Sequence, residues 1–129
     1  MSNVDEQVHA KFKIFSGPLA ADGTIGGLAD QVSAWVSEAK VAPKSIGVEY
    51  LEAAGELLLS VGYRDNEPAY AVELRSVPVG PLRALGADEH ARIEGAMAAA
   101  SKSAAPVICH EIYVNKQGEL FMVFMRHAG

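Results

Sequence analysis

Apolar and polar residues alternate from Lys11 to Ser16, the period of a strand, until Gly17-Pro18 and Asp22-Gly23 break the chain. From Ile25 the period becomes helical. Ile25, Leu28, Val32, Trp35, Val36 and Ala39 fall on one face, while Asp30, Gln31, Ser33, Ser37, Glu38 and Lys40 fall on the other. Such a helix lies on a core, with Thr24 placed to cap its start. Pro43 ends the segment, and Ser45 to Leu51 followed by Glu56 to Arg64, joined across Ala53-Ala54-Gly55, reads as a β-hairpin.

The second half repeats this order. Tyr70 to Ser76 reads as a strand and Pro78-Val79-Gly80-Pro81 as a break. Asp88 is a natural N-cap for a helix to about Ser103 with Ile93, Met97 and Ala100 on one face. Val107 to Val114 and Glu119 to Arg126 form a hairpin around Asn115 to Gly118. Identities 63 residues apart accompany the repetition: Ala42-Pro43 recurs as Ala105-Pro106, Tyr50 as Tyr113, and Gly55-Glu56-Leu57 as Gly118-Glu119-Leu120. The expected fold is α+β: a single domain over residues 1–129 made of two βαββ repeats, about 10–66 and 67–128, with Pro68 near the join. Each hairpin alone leaves an edge unpaired and an apolar face uncovered, so the two units are expected to merge into one antiparallel sheet with both helices on one face. A groove between the helices would be the usual place for a small ligand.

If the second hairpin turns at Lys116-Gln117, His110 lies opposite Val123 and Glu111 opposite Met122. Cys109, Glu111, Tyr113, Leu120, Met122 and Phe124 then share the helix-covered side, as Ile46, Val48, Tyr50, Leu57, Leu59 and Val61 do in the first half. Water-tolerant Ser45, Gly47, Glu49, Ser60 and Gly62 occupy the first hairpin's other side. On the second hairpin that side holds Ile108, His110, Ile112, Phe121, Val123 and Met125. A patch this apolar marks a contact surface, and a homo-oligomer is expected to form through it. The alternatives are a reversed facing or a covering loop such as Val77 to Ala87.

Composition narrows the partners. With 129 residues, half of them hydrophobic, the chain suits one domain with a sizeable core. Eleven Lys plus Arg against sixteen Asp plus Glu give a net charge of −5, the wrong sign for binding a phosphate backbone, so nucleic acid is not expected as a partner. No window reaches the ~18 apolar residues of a membrane span, and Met1 to Glu6 lacks the basic and apolar stretch of a secretory signal. A cytoplasmic protein without a membrane partner is expected. Its single Cys excludes an intramolecular disulfide and stays reduced there.

Candidate chemistry is sparse. Cys109-His110-Glu111 contains the parts of a nucleophile and its base, but successive strand residues point to opposite faces, so the thiol and imidazole cannot share a proton. No catalytic residue is assigned, and an enzyme is not the expected reading. A zinc site from His110 and His127 fails because the register leaves them roughly 13 Å apart, at ~3.3 Å per residue. Asp22 to Gly27 lacks the lysine and spacing of a phosphate loop. No metal or cofactor is assigned. Glu111 is singled out because a carboxylate on the helix-facing side is costly unless it pairs with a cation such as Arg126, is neutral, receives a cationic ligand, or reaches water at a frayed edge. Trp35, Tyr50, Tyr113 and Met122 would line the same groove.

The order of elements resembles the gyrase-inhibitor-like effector-binding and SOUL-type haem-binding folds, which are built from duplicated βαββ units. Val72-Glu73-Leu74-Arg75-Ser76-Val77-Pro78 is similar to that family's strand entering a proline-containing turn, and His110-Glu111-Ile112-Tyr113-Val114-Asn115 to its aromatic-Glu-aliphatic-Tyr-aliphatic-Asn strand. The resemblance implies that Glu111 contacts a cationic or aromatic small molecule in the groove between halves. No haem ligand carries over, and the tight turn after Asn115 replaces the proline-rich excursion common in the family. The expected function is a non-catalytic module binding a small apolar ligand, one that can carry a positive charge, through Glu111, Tyr113, Trp35, Tyr50 and Met122. The alternative is a self-associating scaffold using the apolar outer face of the second hairpin.

Overall fold

The computed structural model describes residues 11–104 and 106–128. The first ten residues, on which the expectation of no secretory signal rests, lie outside them. The chain runs β1 (Lys11–Pro18), α1 (Gly27–Ala39), β2 (Ala42–Leu51), β3 (Glu56–Arg64), β4 (Val72–Pro81), α2 (Ala87–Ser103), β5 (Cys109–Val114) and β6 (Glu119–His127). It is an α+β protein with two three-stranded antiparallel sheets, ordered β1-β3-β2 and β4-β6-β5. One merged sheet was expected. Strands β2 and β5 do lie side by side, but no ladder joins them. At their boundary the backbone of Ile46 offers a hydrogen bond to the Cys109 sulfur.

The main core lies on one face of both sheets. Leu57, Leu59 and Val61 of β3 meet Phe121, Val123 and Met125 of β6, and Leu28, Val32 and Val36 of α1 close over them. Helix α1 packs against both β1 and β4, the outer strands of the two sheets. Its start differs from the sequence expectation. Gly26 is the N-cap, and Thr24 instead bonds to Asp22. Helix α2 covers the opposite face of the second sheet. A smaller cluster of Met122, Phe124 and Ala104 forms there, with Val77, Val79, Met97 and Ala100 packed against it. No α2 side chain is fully buried, and its N-cap is Gly86 rather than Asp88.

The first hairpin has the expected facing: Ile46 opposes Val61, Val48 opposes Leu59, and Tyr50 opposes Leu57. The second is shifted by one residue. Asn115 pairs with Glu119 around a three-residue loop, with Gly118 at φ 78°, so Glu111 opposes Val123 and His110 opposes Phe124. A one-residue shift exchanges the faces of a whole strand. Phe121, Val123 and Met125 therefore point into the main core, each at most 1% exposed, and Met122 and Phe124 point toward α2. Nor does the proline-rich stretch end β4. The strand runs to Pro81 through an irregularity between Pro78 and Gly80.

Candidate functional site

Three loops meet at one end of the core. The first is the β1–α1 connection, a tight turn in which Ala20 N–H donates to the Thr24 carbonyl and Gly23 N–H to the Ala20 carbonyl, each at 2.9 Å. Asp22 accepts from both the backbone and hydroxyl of Thr24, bonds that hold its carboxyl below the usual range. Gly23 sits at φ 90°, and a Cβ there would lie 2.6 Å from Phe121 Cζ. Only glycine fits so close to that ring in this conformation.

Beneath the turn stands Tyr113. Its ring stacks on Phe121, centroids 5.3 Å apart and planes at 6°, and its hydroxyl donates to the Gly23 carbonyl at 2.6 Å. With that proton committed, Ser76 donates to the phenol oxygen at 3.1 Å. Burial pushes the Tyr113 phenol up to about 12. Tyr113 thus fixes the first loop to β5 across 90 residues of sequence.

The other two loops are the hairpin tips. Tyr50 and Gly55 come from the β2–β3 tip, and Asn115, Lys116, Gln117 and Glu119 from the β5–β6 tip. Together with Leu19 to Gly23 they surround a cleft of about 310 Å³. Asn115, only 7% exposed, organises one wall. Its Oδ1 accepts from the backbone N–H groups of Gln117 and Glu119, at 3.0 and 2.9 Å, which fixes the amide orientation. Its Nδ2 lies 3.2 Å from where a Gly23 Cβ would sit, and no acceptor bonds to it among the described residues. A buried amide donor without a partner is costly, and a polar ligand supplies one. Tyr50, Lys116 and Glu119 line the same cleft.

The five residues expected to bind a ligand do not share one groove. Tyr50 lines the cleft and Tyr113 supports it from below. Glu111 is half-buried on the same β5 face as Tyr113, without an ion pair among the described residues; Arg126, next to core-facing Met125, lies on the other face of the sheet and pairs with Glu73 at 2.5 Å. Met122 is on the opposite face, under α2. Trp35 stands over the first sheet, edge-on to Phe15 and Tyr63 at 6.0 and 5.0 Å, with Lys13 above it. Of the residues expected at an interface, Phe121, Val123 and Met125 are core, Ile108 packs at the core's margin, and His110 and Ile112 remain exposed. The sequence reading missed Asn115, Asp22, Gly23, Lys116, Gln117 and Glu119. The Asp22-Gly23 and Asn115-to-Gly118 turn signals marked where these loops bend, though not that they converge.

Cys109 and His110 point to opposite faces of β5, and burial pushes the thiol up to about 11. A thiol so shifted is a poor nucleophile at neutral pH. Iodoacetamide at pH 8 should alkylate Cys109 about a hundredfold more slowly than a free thiol of pKa about 8.5, with the rate rising steeply above pH 10. Mass spectrometry over time reads this, and rapid labelling at pH 7 would contradict it. Among the described residues no three His, Cys, Asp or Glu side chains converge as a metal site requires. Among the same residues no helix is long and apolar enough to cross a membrane. Compared with family models, curated proteins and solved structures, the chain matches none.

Proposed function

We propose that this protein is a non-catalytic small-molecule-binding module whose site is the polar cleft between the two hairpin tips and the β1–α1 turn. The observation that carries the reading is Asn115, a nine-tenths-buried amide whose Nδ2 has no protein acceptor among the described residues and whose orientation is fixed by two backbone bonds. A volume of about 310 Å³ suits a ligand of amino-acid size. The ligand class is an amine-bearing polar molecule: an acceptor atom takes the Asn115 Nδ2 proton and an ammonium meets Glu119. This departs from the apolar ligand expected from sequence, since the cleft walls are polar and Trp35 and Met122 lie elsewhere.

The reading includes one domain of two βαββ repeats, in the manner of the gyrase-inhibitor-like and SOUL-type folds. Supporting it, both sheets place the last strand of their half in the centre. In addition, Gly17-Pro18 opposes Leu57 and Glu56 just as Gly80-Pro81 opposes Leu120 and Glu119. Glycines in the left-handed region, Gly55 and Gly118, close both hairpins. The cleft then lies where equivalent tips of the two repeats meet.

A thermal-shift screen of amine-bearing polar compounds tests the proposal. A binder should raise the melting temperature, and Glu119→Gln should weaken it about tenfold or more, the value of one charge-assisted hydrogen bond. Glu111→Gln should leave the affinity unchanged. A binder indifferent to Glu119→Gln but lost with Glu111→Gln would move the site away from the tips.

A further inference from the structure

Among the described residues, no helix packs on one face of the first sheet. Opposite to Leu57, Leu59 and Val61, strand β3 presents Glu56, Leu58, Ser60, Gly62 and Arg64. Beside it β1 presents Phe12 and Ile14, 63% and 55% exposed. On the second sheet, the face turned away from the main core lies under α2. Gly47 and Ser60 leave a hollow of about 240 Å³ in this surface, and Phe12 leans over Gly62, its ring edge 3.3 Å from where a Cβ would be. Without tall side chains in its middle, the face can approach another sheet at the ~10 Å spacing of packed sheets.

We propose that this face is the interface of a homodimer, formed when a second copy of the chain packs against it about a two-fold axis crossing β3 at Ser60. The argument is self-complementarity along β3, as an isologous contact requires. Two-fold rotation about Ser60 sets Leu58 over Gly62 and the Phe12 ring of the second copy, Ile14 over Ile14, and Glu56 over Arg64. Glu56 is exposed and unpaired among the described residues, and Arg64 is held only by Glu67 at 3.6 Å. Each charged end of the strand therefore meets its opposite in the second copy, and both apolar groups meet apolar surface. The same charge at both ends of the strand would instead set like against like.

The footprint bounds the strength. Glu56 to Arg64 spans roughly 27 Å and three strands roughly 14 Å, so each copy covers about 400 Å², half the ~800 Å² per partner of a standard interface. An interface of that size belongs with weak, transient associations, so the dimer forms only at high protein concentration.

Sedimentation velocity of the full chain from 5 µM to 1 mM tests the proposal, with circular dichroism confirming that each variant is folded. The wild-type chain should shift from monomer to dimer across that range. Ile14→Lys, which sets two ammonium groups together on the axis, should abolish the shift at a side chain too exposed to upset folding. Glu56→Arg and Arg64→Glu should each weaken association tenfold or more, and the double exchange should restore it. A monomer at every concentration would overturn the proposal, leaving the face to another protein or to residues 1–10. So would a dimer untouched by Ile14→Lys. Neither outcome bears on the cleft, which lies at the hairpin tips.

Discussion

Replacing Gly23 with alanine is expected to lower the melting temperature by about 10 °C and to abolish ligand binding at the hairpin tips. Two costs add. A left-handed backbone costs a non-glycine residue about 1–2 kcal/mol, and the new methyl would meet Phe121 Cζ at 2.6 Å. Phe121 cannot yield freely, since it is almost wholly buried and stacked on Tyr113. Overpacking of this kind costs about 1–3 kcal/mol, giving a total near 3 kcal/mol and a shift of about 3–4 °C for each in a domain of this size. Gly55 provides the control. It has φ 67° but nothing within 4 Å of its missing Cβ, so Gly55→Ala should cost only the backbone part, about half as much. Calorimetry of both variants reads the difference, and equal losses would mean that Gly23 does not sit against Phe121.

The largest effect is expected at Met125. Its side chain is fully buried on central strand β6, between Cys109 on β5 and Leu74 on β4. Met125→Lys would place an ammonium in that core with no carboxylate opposite it, a cost of at least about 4 kcal/mol against a typical total stability of about 5–15. The variant should be unfolded or nearly so at 37 °C. Ile112→Lys, at a side chain 43% exposed on the other face of β5, should shift stability by less than about 1 kcal/mol. Urea titrations followed by circular dichroism separate the two. A folded Met125→Lys protein would return Met125 to the surface, where the sequence pattern alone had put it.

That reversal shows which part of the fold was legible. Element identities and order followed from period, because Lys11 to Ser16, the α1 stripe and the first hairpin each have one apolar side. In the first hairpin, Ser45, Gly47, Ser60 and Gly62 left one choice of face. In the second, Leu120 to Met125 is apolar at every position, so alternation could not choose a face. The register then depended on loop length, and a two-residue turn at Lys116-Gln117 is one residue shorter than the loop closed by Gly118. The misplacement of Phe121, Val123 and Met125 follows from that residue. So does the grouping of Met122 with Glu111.

The cleft was hidden for a different reason. Tyr50 was selected as an aromatic on a core-facing strand, whereas the β1–α1 turn and the β5–β6 tip that share its cleft are distant in sequence and only tertiary packing gathers them. Asn115 read as an ordinary turn residue, which it also is, since its Oδ1 binds two backbone amides. What distinguishes it is the stranded Nδ2 beneath Gly23. No spacing in the sequence reports that. The recurrence of Gly17-Pro18 as Gly80-Pro81 was, in contrast, available and unused, and it marks where the first strand of each half ends.

The most direct measurement is the proton–nitrogen correlation spectrum of isotopically labelled protein during titration with amine-bearing polar compounds. Saturable movement of the Asn115 side-chain amide pair, together with the backbone amides of Gly23, Gly55 and Gly118 and without movement of the Trp35 indole, is the predicted result. Saturable shifts gathered instead around Trp35 or Glu111, with the Asn115 amide still, would contradict a binding site at the hairpin tips.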